Sequence, residues 1–319
     1  MRRRQKRILL GLILALAVNW LIYRHAYLTD VVYIYFRNGI ATTLDFKTGQ
    51  QKDEPIEAYC QREKRAIIWL NAENEQGLSS VYLTTAEGKT AFQFDTEQLL
   101  EQVGLDYITD LYCTKDERII FIAGHHALSS YRLYGFCDGV FTPLYDGPVF
   151  WSFSIQDEEL LFTALSEDDV YASAAHVMAL NLSDGRMIPL AEGHNASRLD
   201  QSTLILNSGK VCDFEGLVKQ NTLTGQEVLL DAPYFDCPGG KINSSDTPII
   251  SQNRNYGLLY YFGSVGADSE SPMVGLHDFH KNRTINVDLY FRTVLLKKPP
   301  QLGWLYPSSH AMNVLLEIS

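Results

Sequence analysis

The side chains best suited to chemistry lie in four polar segments, each placed between two apolar runs of the sequence. Three of the segments are rich in carboxylates, and the fourth carries two adjacent histidines. Carboxylates gathered from several segments can bind a cation, a basic peptide or a hydroxyl-rich ligand. The candidate ligand-binding residues are His125, His126, Glu167, Asp168, Asp169, Asp268 and Glu270, and Glu73 and Glu75 occupy the segment nearest the N-terminus. An acidic solvated rim that favours solubility is the alternative interpretation.

Linear catalytic motifs are absent from the sequence. It contains no Gly-x-Ser-x-Gly nucleophile turn, no Gly-x-x-x-x-Gly-Lys-Ser/Thr phosphate loop and no His-Glu-x-x-His zinc motif. His277 and His280 are three residues apart on a predicted strand, so they should point to opposite faces and not share a metal ion. The sequence therefore favours a protein that is not an enzyme and needs no cofactor. Ca²⁺ is the ion that the carboxylate-rich segments would bind.

A turn signature that recurs along the chain indicates what positions these segments. Each copy ends an alternating segment with a glycine or asparagine, residues that tolerate the positive φ of a tight hairpin. The six copies are Leu44–Gly49, Leu83–Gly88, Tyr134–Gly139, Leu180–Gly185, Gln220–Gly225 and Asp278–Asn282.

A second pattern, a strand followed by a polar turn and an apolar strand, alternates with the first. Repeats of about 40–50 residues with four strands each are typical of β-propeller blades. The copies are Tyr59–Ile68, Tyr112–Phe121, Phe153–Phe162, Leu199–Leu206, Ile250–Leu259 and Tyr306–Leu315.

The alternation of the two patterns predicts the order of strands. With strands named A to D from the central channel outward, the second pattern is the A–B hairpin and the first is the C–D turn. Six of each predict an all-β, six-bladed β-propeller closed by both termini, which removes exposed sheet edges. The strand Val31–Arg37 is left over, although Asn38-Gly39 could turn it onto Ile40–Phe46. Seven blades, or a different division of strands at the closure, is the alternative.

The predicted topology also separates the loops. The A–B and C–D turns lie at one end of such a propeller, and the B–C loops lie at the other end. The candidate ligand-binding residues all fall in B–C loops, so four blades would bring them to one face.

The N-terminal segment predicts attachment to a membrane. Residues 1–7 carry five basic side chains, and residues 8–23 are apolar except for Asn19. A basic segment before an apolar run is a signal-anchor or a cleaved signal peptide, and Ala15-Leu16-Ala17 is the cleavage site of the second alternative. The predicted organisation is a cytoplasmic tail at 1–7, a transmembrane signal-anchor at 8–26 and an extracytoplasmic domain at 27–319. The protein would then be a single-pass protein of the cell membrane.

The domain outside the N-terminal segment is strongly acidic. The formal net charge of the chain is −11, and removing the five basic residues of the first seven leaves −16 for the remainder. Such a charge repels phosphate backbones, so nucleic acid is excluded as a partner.

Five cysteines with no C-x-x-C pair indicate neither a zinc site nor a complete set of disulfides. Cys113 and Cys137 would lie two strands apart in one blade, about 9.6 Å, which exceeds the roughly 7 Å between Cα atoms that a disulfide spans. We therefore expect no disulfide among Cys60, Cys113 and Cys137.

Nearly all of residues 31–319 resembles TolB-type and WD40-like propellers. The resemblance rests on Asp157 in an A–B turn followed by Leu160-Leu161-Phe162, and on Leu180–Gly185. The Pro-Asp-Gly usual in that turn is missing, and only Pro307-Ser308 keeps the proline. The resemblance implies the fold, while propellers of this kind serve in binding, scaffolding and catalysis alike.

Three functions follow as hypotheses. The first is a membrane-anchored extracytoplasmic binding or scaffolding module for a protein or glycan ligand. The second is a metal-dependent propeller enzyme of the lactonase or lyase type, whose scattered ligands leave no linear motif. The third is a structural subunit of an envelope complex.

Overall fold

The computed structural model describes residues 31–71, 80–95, 101–105, 107–114, 118–125, 130–166, 174–210, 213–230, 247–262, 272–298 and 314–317. It also describes five residues near the N-terminus, at positions 11, 13, 14, 17 and 18, as helical. Within all these residues, no helix combines the length and the apolar character needed to cross a membrane. The predicted signal-anchor at 8–26 lies mostly outside the described residues and stays a prediction.

The described chain is built almost entirely of β-strands. Its first half contains β1 (Val31–Arg37), β2 (Ile40–Asp45), β3 (Gln50–Pro55), α1 (Ile56–Glu63), β4 (Ile67–Asn71), β5 (Ser80–Thr84), β6 (Thr90–Asp95), β7 (Tyr107–Cys113), β8 (Ile119–His125), β9 (Ser130–Cys137) and β10 (Val140–Pro143). Its second half contains β11 (Val149–Gln156), β12 (Glu159–Leu165), β13 (Ala175–Asn181), β14 (Met187–Glu192), β15 (His194–Asp200), β16 (Thr203–Lys210), β17 (Asp213–Asn221), β18 (Glu227–Leu229), β19 (Ile249–Ile250), β20 (Tyr256–Phe262), β21 (Pro272–Asp278), β22 (Arg283–Asn286), α2 (Val287–Thr293) and β23 (Val314–Glu317).

The strands form six antiparallel groups. The groups β7–β10, β11–β14, β15–β18 and β19–β22 have four strands each, and the group β4–β6 has three. The remaining group has the order β23-β1-β2-β3. A single residue pair, Tyr131 with Val149, joins β7–β10 and β11–β14 into one larger sheet.

The first and last described strands lie side by side. β23 pairs with β1 from Glu317 opposite Val31 to Val314 opposite Ile34. β1 turns onto β2 through Asn38 (φ 47°) and Gly39 (φ 74°), and positive φ at both residues is typical of a two-residue hairpin. The prediction that both ends of the domain share one sheet is confirmed. The N-terminal end contributes three strands of this sheet, β1, β2 and β3, and the C-terminal end contributes one, β23.

The predicted strand at Tyr59-Cys60 is wrong, because these residues lie in the helix α1. Ile56, Tyr59 and Cys60 are all buried, and their i, i+3, i+4 spacing places them on one face of a helix. Lys64 ends the helix in the left-handed conformation. Of the other five predicted A–B hairpins, the four near 112, 153, 198 and 250 are confirmed. The one near 306 lies largely outside the described residues.

All six predicted C–D turns are confirmed. Positive φ occurs at Gly49, Gly88, Gly139, Gly185, Gly225 and Asn282. In four of these turns an Asp or Asn lies four residues earlier and caps the turn. The Oδ1 of Asn181, for example, accepts the N–H groups of Ser183 (2.8 Å) and Asp184 (3.3 Å). Asp45, Asn221 and Asp278 accept the equivalent pairs. The Asp or Asn of the repeated signature therefore supplies a hydrogen-bond acceptor for the backbone N–H groups of its own turn.

Alternate residues of the central strands pack into different cores. In β8, Phe121 packs towards the group β4–β6, whereas Ile120 and Ile122 pack towards β11–β14. β12 and β16 divide their apolar residues between two neighbours in the same way. In β1, Tyr33 packs with the group β19–β22 and α2, and Ile34 packs with β4–β6. Successive groups therefore pack face to face, and the last packs against the first.

Candidate functional site

A cavity of about 470 Å³ lies at the end of the molecule that carries the A–B turns. We call it the turn cavity. Its lining comes from the end of β11 and the turn after it, from β15, and from the segment 247–254 around β19. Three neighbouring strand groups thus contribute to one site. Its polar side chains include Gln156, Asp157, Arg198, Thr247 and Arg254.

A buried polar network holds the inner strands of these three groups together. The Ser152 hydroxyl donates to Asn195 Oδ1 (3.1 Å) and lies 2.7 Å from the Thr247 hydroxyl oxygen. All three side chains are buried. Because buried hydroxyl and amide groups are costly to leave unbonded, the network fixes the spacing of β11, β15 and the segment before β19. The walls of the turn cavity are therefore rigidly positioned.

Side chain to backbone bonds add to this framework. The Ser154 hydroxyl on β11 donates to the Ala196 carbonyl (2.8 Å), and the Ser197 hydroxyl on β15 donates to the Pro248 carbonyl. On the other side of β11, the buried Asp110 carboxylate accepts the N–H groups of Leu111 and Phe153, each at 3.0 Å. Side chains thus bond β7 to β11, β11 to β15, and β15 to the segment before β19.

Arg198 is one of two guanidinium groups in the turn cavity, and it is neutralised. Its Nε and Nη2 donate to the two carboxylate oxygens of Glu159 at 2.7 and 2.8 Å. Its Nη1 donates to the Gln201 carbonyl (3.2 Å). The bidentate pairing fixes the plane of the guanidinium and compensates its charge, so Arg198 serves chiefly to shape the wall.

Arg254 is the second guanidinium, and it is held by a neutral group. With the amide of Gln156 oriented to satisfy both of its ends, the Gln156 oxygen accepts Nε (3.0 Å) and Nη2 (2.8 Å) of Arg254, and its nitrogen donates to the Arg198 carbonyl (2.8 Å). The ion pairs among the described residues do not include Arg254. The turn cavity therefore contains a positioned cation whose charge is not compensated by an ion pair in the described part of the chain.

A second cavity of about 260 Å³, the side cavity, adjoins the first at Asp157, which lines both. Its other walls include Tyr112, Arg118 and Leu182. Arg118 Nη2 donates to the Leu182 carbonyl at 3.0 Å, which ties the A–B turn of one group to the C–D turn of the next. The contact confirms that A–B and C–D turns share one end of the molecule.

Of the candidate residues predicted from sequence, His125 alone belongs to the part of the chain that the structure describes. His125 is the last residue of β8, at the end of the strand away from the A–B turn and so about 20 Å from it. His126, Glu167, Asp168, Asp169, Asp268 and Glu270 lie outside the described residues, as do Glu73 and Glu75. The predicted acidic face stays a prediction.

Two histidines are buried rather than arranged for metal binding. Burial lowers the pKa of His194 and of His277 to about 4 each. His277 Nδ1 lies 2.8 Å from the Thr284 hydroxyl oxygen, whereas His280 is exposed in the following turn and contacts Asn255. Within the described ranges, no group of three His, Cys, Asp or Glu side chains could hold a metal ion.

The three described cysteines agree with the sequence prediction. Cys60, Cys113 and Cys137 form no disulfide. Cys60 is buried, and burial raises the pKa of its thiol to about 11, so it behaves as a core residue.

No model of a protein family matches this sequence, and the comparison with curated proteins finds no match. Similar solved structures include TolB from Acinetobacter baumannii, with 12% identity and a TM-score of 0.48, covering 80% of this chain and 62% of that one. The chain thus spans less than two thirds of the TolB structure. An oligogalacturonate lyase in complex with manganese has 9% identity and a TM-score of 0.45, covering 81% and 73% of the two chains.

The β-propeller domain of the Trilobed protease from Pyrococcus furiosus is a third similar structure, with 10% identity and a TM-score of 0.41 over 79% and 82% of the two chains. The similar structures are TolB and other β-propeller proteins, as the sequence resemblance predicts. With TM-scores below 0.5 they carry no inference about function, so the description of the fold rests on the strand pairing.

Sequence reasoning missed the turn cavity, although it located the turns that form it. Gln156, Arg198 and Arg254 lie at three of the predicted A–B hairpins. A usable signal was present: Arg198 and Arg254 are among several arginines at the predicted A–B turns of a domain whose overall charge is strongly negative. Such local positive charge in an acidic chain indicates either an ion pair or an anion site; the structure pairs Arg198 with Glu159 and bonds Arg254 to the Gln156 amide.

Proposed function

We propose that this chain is a six-bladed β-propeller whose turn cavity binds a protein or glycan ligand. Each of the six strand groups supplies one blade, and the sheet β23-β1-β2-β3 joins the two ends of the domain. The packing of the last group against the first supports a closed ring, in which inner strands surround a central channel.

The observation that carries the binding function is the turn cavity itself. Its volume of about 470 Å³ falls within the roughly 300–1,000 Å³ typical of ligand sites. The side-chain hydrogen bonds between inner strands fix its walls before any ligand arrives. A site that is already in its binding geometry loses little conformational entropy on association, which favours affinity.

We also propose that the domain is held at the outer side of a membrane by residues 8–26, with residues 1–7 in the cytoplasm. The basic tail before the apolar run supports this arrangement. An alkaline phosphatase fused after Ser319 should be active outside the cytoplasm, and an inactive fusion of the full-length protein at normal abundance would contradict it.

A cavity-blocking variant tests the binding site. Gln252 lines the turn cavity with an exposed side chain, so Gln252→Trp should fill part of the opening. Gln226→Trp is the matched control, because Gln226 is exposed in a C–D turn outside the cavity lining. The full chain and both variants would be probed with a phage-displayed random peptide library and a glycan array.

We expect ligands selected on the parent to bind Gln226→Trp equally well and to lose at least about tenfold in affinity for Gln252→Trp, since a bulky side chain excludes part of the ligand. Equal binding by all three proteins would show that the ligand site lies elsewhere.

A further inference from the structure

The unbalanced charge in the turn cavity points to the chemistry of its ligand. Arg198 has a carboxylate partner, Glu159, whereas the partner of the Arg254 guanidinium among the described residues is the neutral Gln156 amide. A half-buried guanidinium that pairs with none of the described carboxylates is a site where an incoming carboxylate gains both charge pairing and hydrogen bonds.

The backbone at Arg254 fixes the direction of this cation. Arg254 has φ 63°, in the left-handed region that residues with a Cβ seldom adopt, and its N–H donates to the Ser251 carbonyl at 2.8 Å. The Ser251 hydroxyl in turn accepts the N–H of Tyr256 at 3.0 Å. The turn and the Gln156 amide together orient the guanidinium before a ligand binds, and its Nη1 is not used in either bond to Gln156.

The shape of the site indicates an extended ligand. The turn cavity and the side cavity meet at Asp157, and together they run across the A–B turns of neighbouring blades. The side cavity adds an aromatic wall at Tyr112 and an apolar one at Leu182. A chain that places an acid at Arg254 would pass Asp157 and rest its next groups on these walls. Backbone N–H groups of a peptide suit the Asp157 carboxylate as donors.

We propose that the turn cavity and the side cavity form one groove for an extended peptide, with Arg254 as the receptor for an acidic side chain of that peptide. The proposal rests on the binding function proposed for the turn cavity and specifies its ligand. Asp157 contacts the peptide backbone between the two cavities, and Arg198 remains engaged by Glu159.

The overall charge of the domain determines whether the contact between Arg254 and the acidic side chain affects the association rate constant or the dissociation rate constant. A net charge of −16 outside the first seven residues repels an acidic peptide at long range, so Arg254 does not steer encounter. It acts after docking, where it slows dissociation. Added salt should therefore raise the association rate constant and also raise the dissociation rate constant.

The test compares peptide selection on three forms of the full chain: the parent, Arg254→Gln and the matched control Arg186→Gln. Arg186 is an exposed arginine of a C–D turn that lines neither cavity. Clones selected on the parent and on Arg186→Gln should share an Asp or Glu at one position. Clones selected on Arg254→Gln should lack that preference.

One selected peptide and its Asn or Gln counterpart would then be measured by fluorescence anisotropy. The acidic form should bind the parent at least about tenfold more tightly, because charge-assisted hydrogen bonds are roughly twice as strong as neutral ones. The ratio should be close to one for Arg254→Gln and intermediate for Arg254→Lys, which keeps the charge but loses the planar fork. Melting temperatures of the variants would verify that they are folded.

The outcomes separate this inference from the proposed function. If Gln252→Trp abolishes peptide binding while the parent selects no acidic residue, or while Arg254→Gln keeps the acidic preference, the cavity binds a ligand and the role of Arg254 is wrong. If Gln252→Trp changes nothing, the binding function of the cavity itself is wrong.

Discussion

Protonation of the buried histidine His277 should make the stability of the domain fall at mildly acidic pH. Its side chain has no exposed surface, and its ring packs 4.9 Å from the Phe279 ring. Burial lowers the pKa of His277 to about 4 from the ordinary 6.5. Two smaller contributions oppose each other, because Asp278 raises this pKa and Lys219 lowers it.

The sign of the effect follows from proton binding in the two states. Below about pH 6.5 the unfolded chain takes up a proton at this residue, and the folded protein does so only near pH 4. The contribution of neutral His277 to stability is therefore complete above about pH 6.5 and is lost as the pH falls towards 4. Between pH 7.5 and pH 5 the loss is about 2 kcal/mol. His194 has a similarly lowered pKa and adds a loss of similar size.

The substitution His277→Asn tests this reasoning. The Asn amide can keep the hydrogen bond to the Thr284 hydroxyl, but it cannot take up a proton. Urea unfolding followed by circular dichroism at pH 7.5 and pH 5 gives the loss of stability for each protein. We expect the loss in His277→Asn to be smaller than that in the parent by about 2 kcal/mol, whatever its absolute stability at pH 7.5.

The matched control is His176→Asn, because the His176 side chain is exposed and stays hydrated in both states. Its loss between the two pH values should equal that of the parent. An equal loss in His277→Asn and the parent would refute the assignment of this pH dependence to the burial of His277.

Three further perturbations test the framework around the site. Truncation after Asn313 removes β23 and leaves the edge of β1 unpaired beside the buried Tyr33. Thermal unfolding should therefore lose its cooperativity. A thermal unfolding curve like that of the full chain would contradict the shared sheet. Asp110→Ala leaves the N–H groups of Leu111 and Phe153 without their carboxylate acceptor. Urea unfolding should show that the free energy of unfolding falls by about 2–4 kcal/mol. The exposed control Asp184→Ala should lose less than about 1 kcal/mol. Glu159→Gln releases Arg198 from its ion pair, so the free energy of unfolding should fall by about 1 kcal/mol. Acidic peptides should bind this variant more tightly when binding is measured by fluorescence anisotropy. Weaker binding of acidic peptides would argue against an anion-binding role for this cavity.

The C–D turns were predictable from sequence because their geometry is chosen locally. An Asp or Asn that caps its own turn, followed four residues later by Gly or Asn with positive φ, needs no distant partner. The face to which each residue of a strand points was predictable for the same reason, since successive residues of any strand point to opposite faces of the sheet. These two local rules carried the prediction of six strand groups.

Helix α1 shows where local pattern failed. Its sequence around Tyr59-Cys60 matches the strand near Tyr112-Cys113, and eight residues are too few for periodicity to separate helix from strand. What distinguishes them is the burial of Ile56 together with Tyr59 and Cys60 in a core shared by three strand groups. Tertiary packing selected the helix.

By itself the sequence determined the all-β class, the six C–D turns, the pairing of both ends in one sheet and the absence of disulfides among three cysteines. Only the tertiary structure decided where a ligand could enter. Gln156, Arg198 and Arg254 are far apart in the chain, and the packing of three successive strand groups brings them around one cavity. Whether an arginine is neutralised or left as a receptor depends on one carboxylate, Glu159, reaching Arg198 and none of the described carboxylates pairing with Arg254. That distinction is a matter of a few ångströms in three dimensions, which spacing along a chain does not encode.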